Sequence, residues 1–524
     1  RAGAGERTGV DGPLNSNVVN DYQRTSTLNI PVATGMRFSR VGGMDDTAAP
    51  APTDAPVETV AVGEIIRYRV AVLVPEGDTP NYQLQIVLDT GLDFIEPTAL
   101  ANNILVGLIS NGPTGFELVS DASLTESGTL HIDGNEDSPE AQLIDPDLLG
   151  QGPQAIFNRT LISYTTDAQG RQVITFNLGN LSNPPDDADL EGVVIEFNVR
   201  VTNVAAARAG AQLGATVHEF SGTTQLSQSD TLYEQVVEPT FNGLNNRVID
   251  FNPNPSGTSG TATFQLDFTQ NGGLPAYDAR LAVNYPRALG YTLQSVTIDG
   301  VVYGPGNLPT GVTALVGPSG VGLEFDRIDI GSSIQVVYTA ELPNLQPIQP
   351  VNSILTWTSL PETFTEWGGD TVGTDGDTDG ERTGSGIAPN TYILRSSAGL
   401  GQVAGVLWND TATATTSPIP DLGAPTLADQ QVELIWGGLD NDLSTEADNR
   451  HYFTVTDTGG FYRFSLLPSG VFRIVMPTGP ITDPNDPEAG ELDVRIDTDG
   501  GTLGQVDFTL DVTSGGTIET VVAN

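Results

Sequence analysis

Short runs of alternating apolar and polar residues recur along the chain, separated by clusters of glycine, proline and aspartate. Clear examples are residues 65–72, 262–268, 334–338 and 471–475. Successive side chains of a β-strand point to opposite faces, so this period of two predicts strands that bury one face and expose the other. Helical periodicity is almost absent. The pattern therefore predicts an all-β chain of tandem β-sandwiches.

The length of the chain predicts more than one domain. Its 524 residues exceed what a single hydrophobic core usually supports, and we expect about three domains of ordinary size. Breaks rich in proline, glycine and aspartate suggest the boundaries. We predict a tail strand or donor segment at 1–30, a first sandwich with insertions at 31–230, a second at 231–397 and a third at 398–524.

The charge balance argues against two classes of partner. The chain has 66 acidic and 21 basic residues, a formal net charge of −45. Such a surface repels nucleic acid and anionic membranes, so we expect neither as a partner. No run of 18 apolar residues occurs, and we expect no membrane insertion. Close packing of copies needs cations or well-matched interfaces to offset the repulsion.

Two residue types are missing from the sequence. There is no cysteine, which excludes disulfides, thiolate nucleophiles and cysteine-based zinc sites. All 21 basic residues are arginine, so there is no lysine. Lysine–asparagine isopeptide bonds, Schiff bases and a phosphate-binding P-loop lysine are therefore excluded as well.

One short motif occurs twice. The sequence GERTG at 5–9, followed by Asn20-Asp21-Tyr22, recurs as GERTG at 380–384, followed by Asn390-Thr391-Tyr392. The second copy lies at the end of a predicted sandwich. The first copy therefore resembles the tail of a sandwich whose body is missing or supplied by a neighbour. A strand without its own sheet can pair with another chain.

Several longer stretches resemble a known family. They are residues 62–68 and 74–77 (VGEIIRY and VPEG), 275–279 (PAYDA), 355–361 (LTWTSLP), 405–410 (GVLWND) and 456–470 (TDTGGFYRFSLLPSG). They are similar to motifs of bacterial cell-surface repeat proteins with DUF11-type domains and a C-terminal SdrD B-like (Cna B-type) domain. The resemblance implies Ig-like and prealbumin-like sandwiches in an extracellular, cell-surface protein. Many members carry lysine isopeptides, which this chain cannot form.

An acidic loop is the best candidate for a metal site. Asp375, Asp377, Asp379 and Glu381 place oxygen ligands at alternate positions, as the first half of a calcium loop does. Position twelve of the loop is Gly386 instead of glutamate, so a solvated acidic loop without calcium is the alternative. Two weaker calcium candidates lie at 440–442 and 497–500.

The sequence has no recognisable catalytic constellation. His131, His218 and His451 lie far apart and form no HExxH pattern, and no GxSxG elbow occurs. We therefore expect no catalytic or cofactor-binding residues and predict that the protein is not an enzyme. Trp357, Trp408 and Trp436 lie in apolar patterns, which favours packing roles over a sugar-binding face.

These observations lead to one function hypothesis and two alternatives. The leading hypothesis is a structural subunit or repeat segment of a bacterial extracellular filament, sheath or surface layer. Its partners are copies of itself or neighbouring repeats, joined through β-strand contacts. The first alternative is an adhesin stalk that binds a glycan or protein ligand. The second is a secreted polysaccharide-active enzyme, which needs two carboxylates about 5–10 Å apart across a cleft.

Overall fold

The structure is a computed structural model. It describes residues 35–43, 57–95, 104–109, 117–118, 162–183, 191–253, 259–285, 288–343, 350–360, 382–384, 391–407, 426–476, 505–510, 512 and 519–520. Every regular element within these ranges is a strand. The strands form six sheets, which face one another in three successive pairs along the chain.

The first sheet pair contains thirteen of the described strands. They are β1 Met36–Gly43, β2 Val57–Val60, β3 Ile65–Val74, β4 Gly77–Leu88, β5 Leu92–Phe94, β6 Ile104–Ile109, β7 Glu117–Leu118, β8 Ile162–Thr166, β9 Gln172–Asn183, β10 Glu191–Val201, β11 Gln212–Ser221, β12 Thr224–Gln228 and β13 Leu232–Val236. One sheet has the order β1-β3-β10-β5, with β6 also on β10. The other has the order β2-β13-β11-β4-β9-β7, with β12 on β11 and β8 on β9.

Alternating residues of both sheets form the core of the first pair. Tyr68 and Phe197 face inward from β3 and β10, with ring centroids 5.7 Å apart, and Phe176 of β9 meets Phe197 from the opposite sheet at 6.2 Å. All three side chains are fully buried. Ring pairs at this separation add to the stability that comes from burying their area.

The second and third sheet pairs contain the remaining described strands. They are β14 Asn245–Asn252, β15 Ser259–Thr269, β16 Ala276–Asn284, β17 Gly290–Ile298, β18 Val301–Tyr303, β19 Val312–Gly317, β20 Gly320–Ile328, β21 Ser333–Pro343, β22 Val351–Thr358, β23 Ile393–Ala398, β24 Gly401–Val406, β25 Gln431–Trp436, β26 Arg450–Val455, β27 Phe461–Leu467, β28 Gly470–Val475, β29 Gln505–Leu510 and β30 Glu519–Thr520. The second pair consists of β14-β15-β21-β17-β18 and β19-β20-β16-β22-β23. The third consists of β27-β24-β30 and β26-β25-β28-β29.

The cores of the second and third pairs join into one hydrophobic cluster. In the second pair Phe264 stacks on Tyr338 with ring centroids 5.1 Å apart. Trp357 and Trp436 are both buried in this cluster, which confirms the packing role predicted for them. Trp408, for which the same role was predicted, lies outside the described residues.

The predicted fold class is confirmed, because the described residues form all-β sandwiches. The predicted division into domains stays a prediction. Its boundary at residue 230 falls before β13, although β13 pairs with β11 and β2 in the first sheet pair. The predicted tail segment at 1–30 lies outside the described residues.

Candidate functional site

Arg382 lies at the contact between the first and second sheet pairs, and its side chain is only 3% exposed. Its Nε donates to Oδ1 of Asn203 at 2.9 Å, and its Nη2 donates to the carbonyl oxygens of Ala207 at 2.8 Å and Val204 at 3.3 Å. Its Nη1 forms an ion pair with Glu238. A buried guanidinium is tolerated when charge and hydrogen bonds satisfy its donors, as they do here.

The backbone around Arg382 is held by the end of β22. The amide of Ser359 donates to the carbonyl of Arg382 at 3.1 Å, and the Arg382 amide donates back to the Ser359 hydroxyl at 3.2 Å. That hydroxyl donates to the carbonyl of Val62 in the first sheet pair at 2.6 Å. Nearby, a Cβ on Gly384 would lie 2.5 Å from the Cβ of Thr356, so glycine lets the loop approach the sheet this closely.

Glu238 is the acidic centre of the same contact. It follows β13 and accepts hydrogen bonds from the Tyr392 hydroxyl at 3.0 Å and the Ala209 amide at 2.7 Å. The ring of Tyr392 stacks on Trp357 at 5.4 Å, and Trp357 Nε1 donates to the carbonyl of Pro239 at 3.0 Å. Burial, reinforced by the negative charge of Glu238, raises the pKa of Tyr392 well above its usual value.

We call this contact the polar junction and define it by Asn203, Glu238, Ser359, Arg382 and Tyr392. Each of these residues makes at least one hydrogen bond across the contact. One bonded group belongs to the first sheet pair or to the residues between β13 and β14, and the other belongs to the second pair. The network has fixed donors and acceptors. It therefore sets the orientation of the two pairs as well as holding them together.

The contact between the second and third sheet pairs is built differently. Phe251 of β14 stacks on Tyr452 of β26 with ring centroids 4.5 Å apart, and it meets Trp436 of β25 edge-on at 5.3 Å. Beside them a Cβ on Gly260 would lie 2.7 Å from Leu466 Cδ1, so the glycine allows β15 and β27 to pack closely. We call this set of five residues the apolar junction.

The hydroxyl of Tyr452 is an exception within the apolar junction. It is buried and has no hydrogen-bond partner among the described residues. Burial is the largest cause that raises the pKa of Tyr452, and the charge of Asp250 adds to it. An unpartnered buried hydroxyl costs free energy, in contrast to the bonded hydroxyl of Tyr392.

A buried charged pair also spans the two sheets of the first pair. Arg40 of β1 donates from Nε to Oε1 of Glu234 on β13 at 2.7 Å, and the hydroxyl of Tyr68 on β3 donates to the same oxygen at 2.5 Å. Burial raises the pKa of Glu234, although the charge of Arg40 opposes this effect. The pair links the first and last described strands of this sheet pair.

A second charged cluster lies on the outer face of β3 and β10. Both oxygens of Glu196 are used: one forms an ion pair with Arg67 at 2.7 Å and the other with Arg69 at 2.6 Å. The alternation at 65–72 predicts a solvated face for these arginines, and that expectation is wrong for β3. All three side chains are buried, and the two ion pairs to Glu196 offset part of the cost of burying the guanidinium groups.

The predicted calcium ligands Asp375, Asp377, Asp379 and Glu381 lie outside the described residues, so calcium binding stays a prediction. The weaker candidate at 497–500 also lies outside them. At the candidate 440–442, Asp442 Oδ1 accepts from the amide of Ser444 at 2.8 Å and from its hydroxyl at 2.6 Å. These hydrogen bonds are typical of a local turn. In the part of the chain that is described, no three acidic or histidine side chains cluster as metal ligands do.

The histidines are separate in the fold as well as in the sequence. His218 lies on β11, and His451 lies on β26 with its Nδ1 2.6 Å from Oε1 of Glu433. His131 lies outside the described residues. Within the described ranges there is also no helix with the length and apolarity that a bilayer crossing requires.

The sequence marks Arg382 through the repeated GERTG motif, but it does not indicate what this side chain contacts. The repetition of GERTG indicates a contact that recurs between sandwiches, because the second copy lies at the end of a sandwich and carries charged residues. Asn203 and Glu238 carried no comparable signal. Each lies more than 140 positions from Arg382 in an unremarkable stretch of sequence.

The described residues define a class of protein: successive β-sandwiches joined end to end by buried contacts. No family model and no curated protein matches the chain. The finer resemblance to DUF11-type and SdrD B-like proteins therefore stays a prediction.

Among solved structures the chain is similar to major pilins and to C-terminal domains of antigen I/II polypeptides. The major pilin subunit BcpA of Bacillus cereus is 13% identical over 68% of this chain and 89% of that chain, with a TM-score of 0.26. The full-length major pilin SpaD of Corynebacterium diphtheriae is 9% identical over 86% and 96%, with a TM-score of 0.28. The C-terminal domain of BspA, a Streptococcus agalactiae AgI/II polypeptide, is 9% identical over 62% and 95%, with a TM-score of 0.29. All three TM-scores lie below 0.5, and the fold assignment rests on the sheets of this chain itself.

Proposed function

We propose that this chain is a structural segment of an extracellular bacterial filament, sheath or surface layer. Its partners are copies of itself or neighbouring repeats. The observation that carries the proposal is the polar junction, in which Arg382 of the second sheet pair is buried against Asn203, Ala207 and Glu238 at the end of the first. A protein that spans distance or bears load needs its modules held at a fixed angle.

The connections between the sheet pairs support a stiff segment. Eight residues separate the end of β13 at Val236 from the start of β14 at Asn245, and Glu238 and Pro239 within them contact the second pair. Only two residues separate β23, which ends at Ala398, from β24, which begins at Gly401. Domains in one chain move relative to each other unless such contacts restrain them.

The Arg40–Glu234 pair suits a segment under tension. Tension along the chain is applied to the first pair where β1 enters and β13 leaves, and the buried pair bridges these two strands. A lysine-free chain has no isopeptide bond to bear such a load. Buried, hydrogen-bonded charges are the non-covalent substitute, because separating them leaves each charge desolvated and unpaired.

Small-angle X-ray scattering of the purified chain tests the stiffness. We expect one narrow distribution of maximum dimension for the natural chain and a broader one for Arg382→Leu. The matched control is Arg327→Leu, because Arg327 is more than half exposed and its contacts, Asp329 and the ring of Tyr277, both lie in the second sheet pair. Equal breadth in all three proteins would argue against a rigid junction.

Immunogold electron microscopy tests the location and role. Antibodies against the chain are applied to the cells that naturally produce it, and pre-immune serum serves as the control. We expect gold on extracellular filaments, a sheath or a surface layer. Gold confined to the cell interior would contradict the proposal.

We also propose calcium binding at Asp375, Asp377, Asp379 and Glu381. These residues immediately precede Arg382 in sequence, and Asp379 and Glu381 lie within or beside the same GERTG motif. Isothermal titration of the calcium-stripped chain with CaCl₂ tests the site, with Asp377→Asn as the variant and Asp507→Asn as an acidic control. We expect saturable heat that is lost only in Asp377→Asn, and identical titrations in all three would contradict calcium binding.

The alternatives have less support in the described residues. Two of the four tryptophans, Trp357 and Trp436, are buried and cannot form a sugar-binding platform. Three of the buried carboxylates, those of Glu196, Glu234 and Glu238, are each bonded to an arginine. Hydrolysis of a glycoside needs two carboxylates facing a cleft, so these groups favour the structural role.

A further inference from the structure

Strand β26 combines an outer edge that no other described strand covers with exposed apolar side chains. It is the first strand of the sheet β26-β25-β28-β29, and no described strand pairs with its outer edge. Phe453 and Val455 project from the outer face of that sheet, 51% and 59% exposed. An edge strand of this kind is a template for pairing with another strand.

Natural edge strands usually carry a protecting charge, proline or bulge. In β26 the stretch from Tyr452 to Val455 has none of these, and its pairing with β25 is regular throughout. The charged groups lie at the two ends, with Arg450 and His451 at the start and Asp457 just beyond the finish. This distribution favours a partner strand that has an acidic group opposite His451 and a basic group opposite Asp457.

We propose that β26 pairs with β26 of a second copy of this chain, antiparallel about a two-fold axis at Thr454. In this register Phe453 lies opposite the partner's Val455, and Val455 lies opposite Phe453 of the partner subunit. Residues on one strand that are two apart share a face, so all four apolar side chains form one strip. The two four-stranded sheets then become one continuous sheet.

The same register matches the charges at both ends of the strand. His451 lies opposite the partner's Asp457. Its Nδ1 contacts Glu433, which leaves Nε2 directed away from that contact for the new acceptor. Asp457 is held in position, since its Oδ1 accepts from the amides of Gly459 at 2.8 Å and Phe461 at 3.0 Å. A two-fold interface repeats this pair at its other end.

A second copy is the occupant that the charges favour. The chain carries a net charge of −45, so a general attraction between copies is excluded. The edge of β26 is locally basic at one end and acidic at the other, which makes it complementary to itself in the antiparallel direction. Added salt screens the repulsion over the long distances between the remaining surfaces more completely than the attraction between His451 and Asp457 in contact, so it strengthens the pairing. The proposal does not depend on a filament role.

Strand β19 provides a matched control within the same chain. It is also the outermost described strand of its sheet, and Leu315 on it is 55% exposed, close to the value for Phe453. Residues 312–317 and their immediate neighbours include no charged side chain. Strands β19 and β26 therefore both have exposed apolar side chains and an outer edge without a described neighbour. They differ in that only β26 has complementary charges at its two ends.

Single cysteines test the register, because the natural chain has none. Directly opposed residues of antiparallel strands have Cα atoms about 4.5–5.5 Å apart, which a disulfide accepts. We expect Thr454→Cys to give a covalent dimer under mild oxidation that dithiothreitol reverses, and Thr313→Cys on β19 to remain monomeric. Equal cross-linking of Thr454→Cys and Thr313→Cys would overturn the proposal. Preferential cross-linking of Phe453→Cys over Thr454→Cys would also overturn it, because the two-fold axis would then not lie at Thr454.

Sedimentation velocity tests the association without a cross-link. We expect a reversible dimer that strengthens between 20 and 500 mM NaCl, and a dissociation constant at least tenfold higher for Phe453→Arg. Leu315→Arg on β19 should leave the constant unchanged. A monomer at all concentrations and salt levels, or an equal effect of both variants, would overturn the proposal. The immunogold test of the structural role does not depend on whether β26 forms a dimer. The dimer proposal and the proposed function can therefore fail independently.

Discussion

The two junctions between sheet pairs solve the same problem with opposite chemistry. The polar junction depends on one guanidinium, one carboxylate and a few oxygens of the first pair, all buried. The apolar junction depends on the rings of Phe251, Trp436 and Tyr452 and on close packing at Gly260. Each buries one tyrosine, and only the polar one gives that tyrosine's hydroxyl a partner among the described residues.

The two contacts therefore contribute different properties to the chain. Hydrogen bonds to a buried charge work only over a narrow range of distance and angle, so the polar junction determines orientation. Apolar contact is non-directional and grows with the area removed from water, so the apolar junction supplies affinity with less control of angle. Loss of a group should therefore be more costly at the polar junction, where the partners are left desolvated and unpaired.

The largest effect is expected from Arg382→Leu. The substitution leaves Glu238 buried without its main counter-charge, and breaking a buried pair in this way costs about 3–5 kcal/mol. Scanning calorimetry of the whole chain should show the transition of the second sheet pair moving to lower temperature. The control Arg327→Leu should change stability by less than about 0.5 kcal/mol, as expected at an exposed pair. Equal shifts in the two variants would mean that the polar junction adds no stability.

The next effect is expected from Phe251→Ala at the apolar junction. Removing a buried ring between Trp436 and Tyr452 costs about 3 kcal/mol, near the lower end for such changes because the junction can partly close. The loss should be the same at low and high salt, because the substitution removes no charged group. Val302→Ala on exposed β18 is the control. A strong salt dependence for Phe251→Ala would remove the distinction between the junctions.

The fold could be predicted from sequence because its signal is local. The alternation in β15, Ser259–Thr269, repeats every two residues and marks an inward face that the structure confirms at Ala262, Phe264 and Leu266. A pattern of this kind needs no knowledge of partners. The same reasoning failed for β3, where Arg67 and Arg69 read as solvated residues and are buried instead against Glu196.

The polar junction could not be predicted because its signal is not local. Arg382 meets Glu238 and Asn203 across long stretches of chain, and neither acceptor stands out among 66 acidic residues or the many asparagines. The repeat at 5–9 and 380–384 singled out Arg382 but not what it contacts. A contact between modules depends on their relative placement, which hydrophobic periodicity does not encode.

Two matched tyrosine variants test the two junctions at the level of one hydroxyl group. Tyr392→Phe removes a hydrogen bond to a buried carboxylate and should destabilise by about 2 kcal/mol. Tyr452→Phe removes a buried hydroxyl that has no partner in the described residues, and it should leave stability unchanged or raise it by up to about 1 kcal/mol. Urea unfolding followed by tryptophan fluorescence measures both. Equal destabilisation by the two variants would contradict the difference drawn between the junctions.

The smallest effect is the change of the Tyr452→Phe result with pH. Burial holds the pKa of Tyr452 above its unfolded value, so the native state keeps a proton that the unfolded state loses above about pH 10. Stability from this group is therefore complete below that pH and is lost as the pH rises further. Phenylalanine cannot ionise, so the variant should gain about 1.4 kcal/mol relative to the natural chain one unit above the unfolded pKa. Urea titrations at pH 7, 9 and 11 measure the gain, with Tyr303→Phe on β18 as the control. A constant difference between variant and natural chain across these values would show that Tyr452 is not shielded from water by the apolar junction.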